Sequence, residues 1–107
     1  MKILVFENGE TGRLTDINGE NVQGEIEELL GGKVVSERLT GSLHLVVRED
    51  GHKEVLPIHY TRYQPGDLPA LIFGNCVVVK IDRTGKAHDM KRADAEAVNG
   101  WIYMAEG

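Results

Sequence analysis

Cysteine is nearly absent from this chain of 107 residues: Cys76 stands alone, so no internal disulfide can form. Long apolar runs are absent as well, and none comes near the about 20 residues that a transmembrane helix needs. Met1 and Lys2 lead directly into a strand-like run, and we therefore expect no signal peptide. Together these absences argue against a disulfide scaffold and a membrane span, and they predict a cytoplasmic protein.

The motifs of common enzyme classes are missing too. The sequence has no glycine-rich phosphate loop with its lysine, no dinucleotide-binding fingerprint and no serine nucleophile elbow. Cys76 lies in the most apolar predicted strand, where a thiol is inert, so we expect a structural cysteine. We predict that the protein is not an enzyme, with no catalytic residues and no cofactor.

Two sets of residues match metal sites only in part. His44, His59 and Cys76 come from three predicted strands and can meet on one sheet face, but they lack a closely spaced ligand pair. Part of the spacing of a calcium loop is met by Asp16, Asn18, Glu20 and Glu27. The glycine that this loop needs at its sixth position is absent, because Asn21 stands there. We therefore expect no bound metal.

The negative charge is concentrated in the first third of the chain. Residues 1–30 carry seven acidic and two basic residues, whereas residues 31–107 carry ten of each, so the net charge of −5 lies entirely in 1–30. An acidic surface repels nucleic acid and attracts basic partners. The simpler explanation is that these acids keep a small domain soluble. No basic stripe with interleaved aromatic residues is present, so we expect no direct nucleic-acid binding.

The first part of the chain predicts two strands and a helix. Ile3–Phe6 has the length of a buried strand, and residues 11–18 can return beside it. Asn21 can cap a helix that the glycines at 31 and 32 end. One apolar face of that helix is formed by Val22, Ile26, Leu29 and Leu30. Pointing away from this face are Glu25, Glu27 and Glu28.

The second part is richer in strand signals. Strands are predicted over residues 33–39, around 43–48, over 53–60 and over 75–82, the last of these at the centre of the sheet. Asp50-Gly51 is a hairpin turn, Pro57 requires an edge or a bulge, and residues 62–71 form an irregular loop. Asp89 can cap a final helix. The segment after Asn99 can either continue this helix or form a strand. The apolar stripe of that helix is Met90, Ala93, Ala97, Trp101 and Met104.

These elements predict one α+β domain over residues 1–107. The expected fold is a single, mostly antiparallel sheet of about five to six strands with two helices, in the order β-β-α-β-β-β-β-α.

Several segments resemble a family of uncharacterised small proteins encoded by bacteriophages, plasmids and other mobile elements, known by a domain-of-unknown-function label. The segments that carry the resemblance are 1–5, 29–32, 45–51, 56–57 and 73–79. They span most of the chain and consist of turn and core residues. The resemblance implies a mobile-element origin and no particular activity.

Two surfaces are candidates for binding a partner protein. The first consists of Glu25, Glu27 and Glu28 on the outer face of the first helix. The second consists of Tyr60, Arg62 and Tyr63, because tyrosine and arginine are common binding anchors. An equally weighted alternative is that Tyr60 and Tyr63 cover the edge of the core.

Two functions follow from these features. The first is a small non-enzymatic binding module that modulates or inhibits a host or mobile-element protein, for example a defence nuclease or its nucleoprotein complex. The second is a binder of a small molecule or anionic ligand, or a small enzyme, with His59 and Arg62 at the Pro-rich loop. Self-association as a homodimer remains open.

Overall fold

The computed structural model describes residues 1–50, 58–64, 66 and 68–104. The first half contains β1 (Lys2–Phe6), β2 (Arg13–Asp16), α1 (Val22–Leu30), β3 (Val34–Thr40) and β4 (Leu43–Arg48). The second half contains β5 (Ile58–Arg62), β6 (Ala70–Phe73), β7 (Cys76–Ile81), β8 (Ala87–His88), α2 (Arg92–Asn99) and β9 (Ile102–Met104). The predicted α+β class is confirmed.

The main sheet is antiparallel and has the order β2-β1-β7-β4-β3, with β8 also paired to β7. Strand β7 is central, as predicted, and Val78 lies between Leu4 of β1 and Leu45 of β4. Its first four residues are fully buried because both faces of the sheet are covered. The main sheet has six strands, which confirms the predicted number of about five to six.

The two faces of the main sheet carry separate apolar cores. On one face, Ile26 and Leu30 of α1 pack with Ile3, Val5 and Val77. On the other face, Leu4 and Val78 pack with residues of α2 and of a second, smaller sheet. The protein thus has three layers, with the main sheet in the middle.

The second sheet was not predicted. It has three antiparallel strands in the order β6-β5-β9. Strand β6 begins at Ala70, inside the predicted loop, and β9 decides that the segment after Asn99 is a strand. Both strands are short, and they are stabilised by pairing with β5 rather than by their own sequence. The local sequence pattern therefore indicates them only weakly.

Helix α1 matches the prediction at both ends. The side chain of Asn21 accepts a hydrogen bond from the Gly24 backbone N–H at 3.1 Å. Gly31 adopts a φ of 84° and ends the helix in the left-handed cap that glycine permits. The predicted burial of Leu29 is wrong, because this side chain lies at the margin of the buried face and is exposed.

Helix α2 differs from the prediction in its start and in its buried face. Asp89 accepts a hydrogen bond from the Lys2 backbone N–H at 2.8 Å instead of capping the helix, which begins at Arg92. The buried residues of α2 are Ala95 and Val98, whereas Ala93 and Ala97 are exposed. Burying Val98 removes more apolar surface from water than burying a second alanine, which favours this rotation of the helix.

Several predicted features lie outside the described residues, among them Gly51 of the hairpin turn and Pro57. The strand predicted over 53–60 is described only from Ile58 onward, as β5. No helix within the described ranges is long and apolar enough to cross a membrane.

Candidate functional site

The three-stranded sheet has an inner and an outer face because side chains alternate along its strands. Tyr60 and Ile72 lie in the core beneath the sheet. Strand pairing places Leu71, Thr61 and Tyr103 side by side on the outer face. Leu71 and Tyr103 are exposed, so the outer face presents apolar side chains to solvent.

Two tyrosines stand together at one end of this outer face. The rings of Tyr63 and Tyr103 meet edge to face, with centroids 5.9 Å apart, and each side chain is half exposed. The Tyr63 backbone N–H donates to the Trp101 carbonyl at 2.6 Å, and the Tyr103 hydroxyl donates to the Gly100 carbonyl at 2.6 Å. The first hydrogen bond fixes the Tyr63 backbone beside Trp101, and the second holds the Tyr103 ring against Gly100 at the end of α2.

An open cleft of about 720 Å³ lies between this pair and the loop that follows β1. We call it the tyrosine cleft, and its walls include Glu10, Thr11, Tyr63, Asn99, Tyr103 and Met104. Met104 is strongly exposed. The Glu10 carboxylate is exposed and lies 3.8 Å from the Arg13 guanidinium. The cleft therefore combines aromatic and thioether surface with an acidic group.

Tyr60 lines the base of this cleft, although almost none of its side chain is exposed. Its side chain is fully buried, and its ring meets Phe6 edge to face at 5.4 Å. Its hydroxyl donates to the Glu10 carbonyl at 2.8 Å. Burial, followed by the nearby Cys76, raises the pKa of Tyr60 to about 12. Tyr60 therefore positions the Glu10 loop from the base of the cleft, and its direct contact with a partner stays a prediction.

The same loop is fixed a second time at Gly12. Its backbone N–H donates to the Asn99 side-chain oxygen at 3.2 Å. A Cβ atom at Gly12 would lie 2.6 Å from the Phe6 ring, so this position has room only for glycine. The wall of the cleft therefore has a defined backbone position.

Arg62 lies on the inner side of β5 and lines a different cavity. This pocket of about 240 Å³, here called the arginine pocket, lies between the two sheets, and its walls include Leu45, Val47, Arg48, Arg62, Ile72 and Phe73. The guanidinium of Arg62 forms an ion pair with Glu37 of β3. Its side chain is only 14% exposed, so Arg62 is a buried link between the sheets rather than an open anchor.

His59 does not share this pocket. Its Nδ1 lies 3.2 Å from the side-chain oxygen of Asn75, which also accepts a hydrogen bond from the Asn8 backbone N–H at 2.9 Å. The expected ligand pair of His59 and Arg62 is therefore divided between two environments. His59 joins β5 to the turn before β7, whereas Arg62 faces β3 and β4.

The three glutamates of α1 also have different roles. Both carboxylate oxygens of Glu25 accept backbone hydrogen bonds, from Asn18 at 2.8 Å and from Gly19 at 2.9 Å. Glu25 thus fixes the turn before the helix, and the expectation that it is free for a partner is corrected. Glu27 is half buried, and Glu28 is exposed.

The acidic first third does not form a single surface. Glu28 and Asp16 line a shallow depression beside α1. Glu10 belongs to the tyrosine cleft, which adjoins the core on the opposite face of the main sheet from α1. The acidic residues of the first third are therefore divided between the two faces of the main sheet.

Cys76 has no exposed surface, and burial raises the pKa of its thiol to about 12. A thiol in this state is a poor nucleophile. Within the part of the chain that the structure describes, no three His, Cys, Asp or Glu side chains form a group that could hold a metal ion.

Sequence reasoning did not identify Glu10, Tyr103 and Met104 as members of one site. Tyr103 and Met104 follow the break at Asn99-Gly100, and Ile102 and Tyr103 have high β-propensity. That signal favours a strand after the helix and could have revealed their alternation between two faces.

The fold defines a small α+β domain with two antiparallel sheets and a cleft beside the edge strand of the smaller one. The model of a domain of unknown function, DUF3846, matches residues 1–102, and the chain belongs to this family. Comparisons with curated proteins and with solved structures found no match. The predicted membership in an uncharacterised family is confirmed.

Proposed function

We propose that the protein is a non-enzymatic binding module and that the tyrosine cleft binds a partner protein. One observation carries the proposal: Tyr63 and Tyr103 are 52% and 50% exposed, yet they are held edge to face at the rim of the cleft. Tyrosines are frequent binding hot spots, since they bury a large area with few rotatable bonds. Met104 adds a side chain that adapts to an irregular partner surface.

The charge beside the cleft favours a basic partner. Glu10 lies on its rim beside Arg13, and Glu7, whose carbonyl accepts a hydrogen bond from the Glu10 backbone N–H at 2.9 Å, gives two acidic residues here against one arginine. Complementary charge accelerates association and selects partners. It also opposes direct binding to nucleic acid, whose phosphates are negative.

The partner we propose is a host or mobile-element protein, because the resemblance of the sequence to proteins of mobile elements implies such an origin. One specific form of this proposal is inhibition of a host defence nuclease. The nucleic-acid groove of such an enzyme is basic, and an acidic protein can occupy it. The exposed tyrosines would then add apolar contacts that plain charge attraction lacks.

The other predicted surface residues take supporting places in this proposal. Tyr60 and Arg62 position the small sheet and its neighbouring loop, whereas Tyr63 contacts the partner. Glu27 and Glu28 lie on α1, on the opposite face of the main sheet, and would form a second, separate acidic surface. One compact partner domain is therefore expected to use only one of the two surfaces.

Affinity capture from host lysate tests the proposal with two matched variants. The first replaces both tyrosines (Tyr63→Ala and Tyr103→Ala), and the second is Leu29→Ala, which removes an exposed apolar side chain from α1. We expect the wild type and Leu29→Ala to retain the same partner, identified by mass spectrometry, and the double variant to lose it. The melting temperatures of all three proteins should be similar.

Two results would contradict the proposal. The first is equal recovery of the partner by the wild type and by the folded double-tyrosine variant. The second is the recovery of no specific partner, together with a solution mass that shows no homodimer.

The alternative function was a small-molecule or anionic-ligand binder, or a small enzyme, using His59 and Arg62. The structure gives these residues different neighbours, so a shared site is the weaker hypothesis. A thermal-shift screen of small ligands separates the two functions, because a ligand without a protein partner would favour the alternative.

A further inference from the structure

The arginine pocket has the composition of a small ligand site. Its inner wall is apolar, with Leu45 from the main sheet and Ile72 from the small sheet, both buried. Two arginines, Arg48 and Arg62, complete the lining, and their side chains are only 18% and 14% exposed. Pockets that combine apolar walls with a few placed polar groups are typical of ligand sites.

Arg62 has a donor that the described residues do not satisfy. Its guanidinium pairs with Glu37, whereas its Nε–H is buried and has no hydrogen-bond partner within the described ranges. Leaving a buried donor unsatisfied is costly, by about 1–3 kcal/mol. A planar guanidinium binds an oxyanion best through two parallel N–H groups, one of which can be Nε–H.

The carboxylate that pairs with Arg62 is itself open to solvent. Glu37 lies on β3, the edge strand of the main sheet, and its side chain is 57% exposed. Moving it into solvent therefore costs little. Arg48 is bound through its Nε and terminal nitrogen to Asp50, at 3.2 and 3.3 Å, and supplies a second positive charge in the lining.

We propose that the arginine pocket binds a small oxyanion, a carboxylate or a phosphate ester, that is carried on a compact apolar body. The anion engages the Nε–H of Arg62 and competes for the charge of its guanidinium with Glu37, which is bound at Nη1, while the apolar body lies against Leu45 and Ile72. The volume of about 240 Å³ suits a ligand of about one ring. This proposal does not depend on the tyrosine cleft, because different residues form that surface.

Titration of the ¹⁵N-labelled protein tests the proposal, with benzoate and phenyl phosphate as the probes. Inorganic phosphate serves as the anion without an apolar body, and benzyl alcohol serves as the neutral control. The Arg62 Nε–H resonance should shift with benzoate or phenyl phosphate and stay in place with benzyl alcohol. The tighter of the two probes identifies the anion as carboxylate or phosphate. A response to inorganic phosphate alone would overturn the apolar part of the proposal.

Three variants separate ligand binding from a purely structural ion pair. Arg62→Met keeps the apolar stem and should weaken probe binding by about tenfold or more, the loss expected for a charge-assisted hydrogen bond. Arg92→Met removes an exposed arginine of α2 and should leave binding unchanged. Glu37→Gln removes the competing carboxylate, so it should bind the probe more tightly than the wild type.

The Glu37→Gln variant keeps the test decisive even if Arg62→Met fails to fold. A folded Glu37→Gln protein that binds the probe more weakly than the wild type would overturn the proposal. So would the absence of any shift at Arg62 at millimolar probe, or equal losses in Arg62→Met and Arg92→Met.

Discussion

Residues of the same type have different roles in this protein, and their surroundings decide which. Tyr60 and Tyr63 are three positions apart, yet Tyr60 is sealed in the core and Tyr63 is half exposed. The alternation of β5 turns Tyr60 inward, and its hydroxyl finds the Glu10 carbonyl. Tyr63 follows the end of the strand and is free to form the rim of the cleft.

Glu25 differs in the same way from Glu27 and Glu28. We predict that Glu25→Gln lowers stability by about 1 kcal/mol, because glutamine has one acceptor oxygen in place of two, so one of the two backbone N–H groups loses its partner. The matched double variant, Glu27→Gln with Glu28→Gln, should be neutral or slightly stabilising, since it relieves repulsion between acids. Chemical denaturation measures both. Equal destabilisation of the two proteins would show that Glu25 has no special role in the turn.

At the scale of the element, the position of a strand in the sheet sets its tolerance to charge. We predict that Val78→Asp, in the central strand β7, unfolds the domain, because it buries an unpaired charge at a cost of several kcal/mol. Val35→Asp makes the same change on the edge strand β3, where the side chain is 46% exposed. Circular dichroism during heating should show a cooperative transition for Val35→Asp only. A folded Val78→Asp protein with the melting temperature of the wild type would contradict the central position of β7.

The turn between β7 and β8 is organised by one carboxylate. Asp82 contacts His88 Nε2 at 2.7 Å and accepts hydrogen bonds from the Thr84 hydroxyl at 2.6 Å, the Thr84 N–H at 2.9 Å and the Lys86 N–H at 3.0 Å. The contact with His88, followed by these hydrogen bonds, holds the pKa of Asp82 well below its usual range.

This lowered pKa predicts a loss of stability in acid. Because the folded state favours the ionised form, Asp82 stabilises the protein above its ordinary pKa of 3.8, and this contribution disappears as the pH falls below that value. Asp82→Asn should therefore melt at a lower temperature near neutral pH and show a flatter dependence on pH in acid. Asp16→Asn changes an exposed carboxylate paired only with Lys2 in the described structure, and it should keep the slope of the wild type. Identical slopes for Asp82→Asn and the wild type would count against the role of Asp82.

At the scale of the whole molecule, two apolar cores lie on opposite faces of one sheet, and we expect them to stabilise the fold without metal. We predict that a chelator leaves the melting temperature unchanged and that elemental analysis of the purified protein finds no stoichiometric zinc or calcium. The reason is that the described residues bring no three metal-ligating side chains together, and Cys76 is held as a buried thiol. One equivalent of tightly bound metal would contradict this prediction.

The sequence by itself determined the features that depend on neighbouring residues. The cap at Asn21, the left-handed glycine at Gly31 and the β-branched run of β7 are local signals, and each has its predicted place. In these cases a backbone preference or a short periodic pattern is sufficient.

Only the tertiary structure decided which distant segments pair. The small sheet joins three segments from residues 58 to 104, and short strands gain their stability from such pairing rather than from their own propensity. That pairing buries Tyr60, sets Tyr103 beside Tyr63 and brings Arg62 to Glu37. Composition and spacing give the residue types of both cavities, whereas their assembly depends on contacts between residues far apart in the chain.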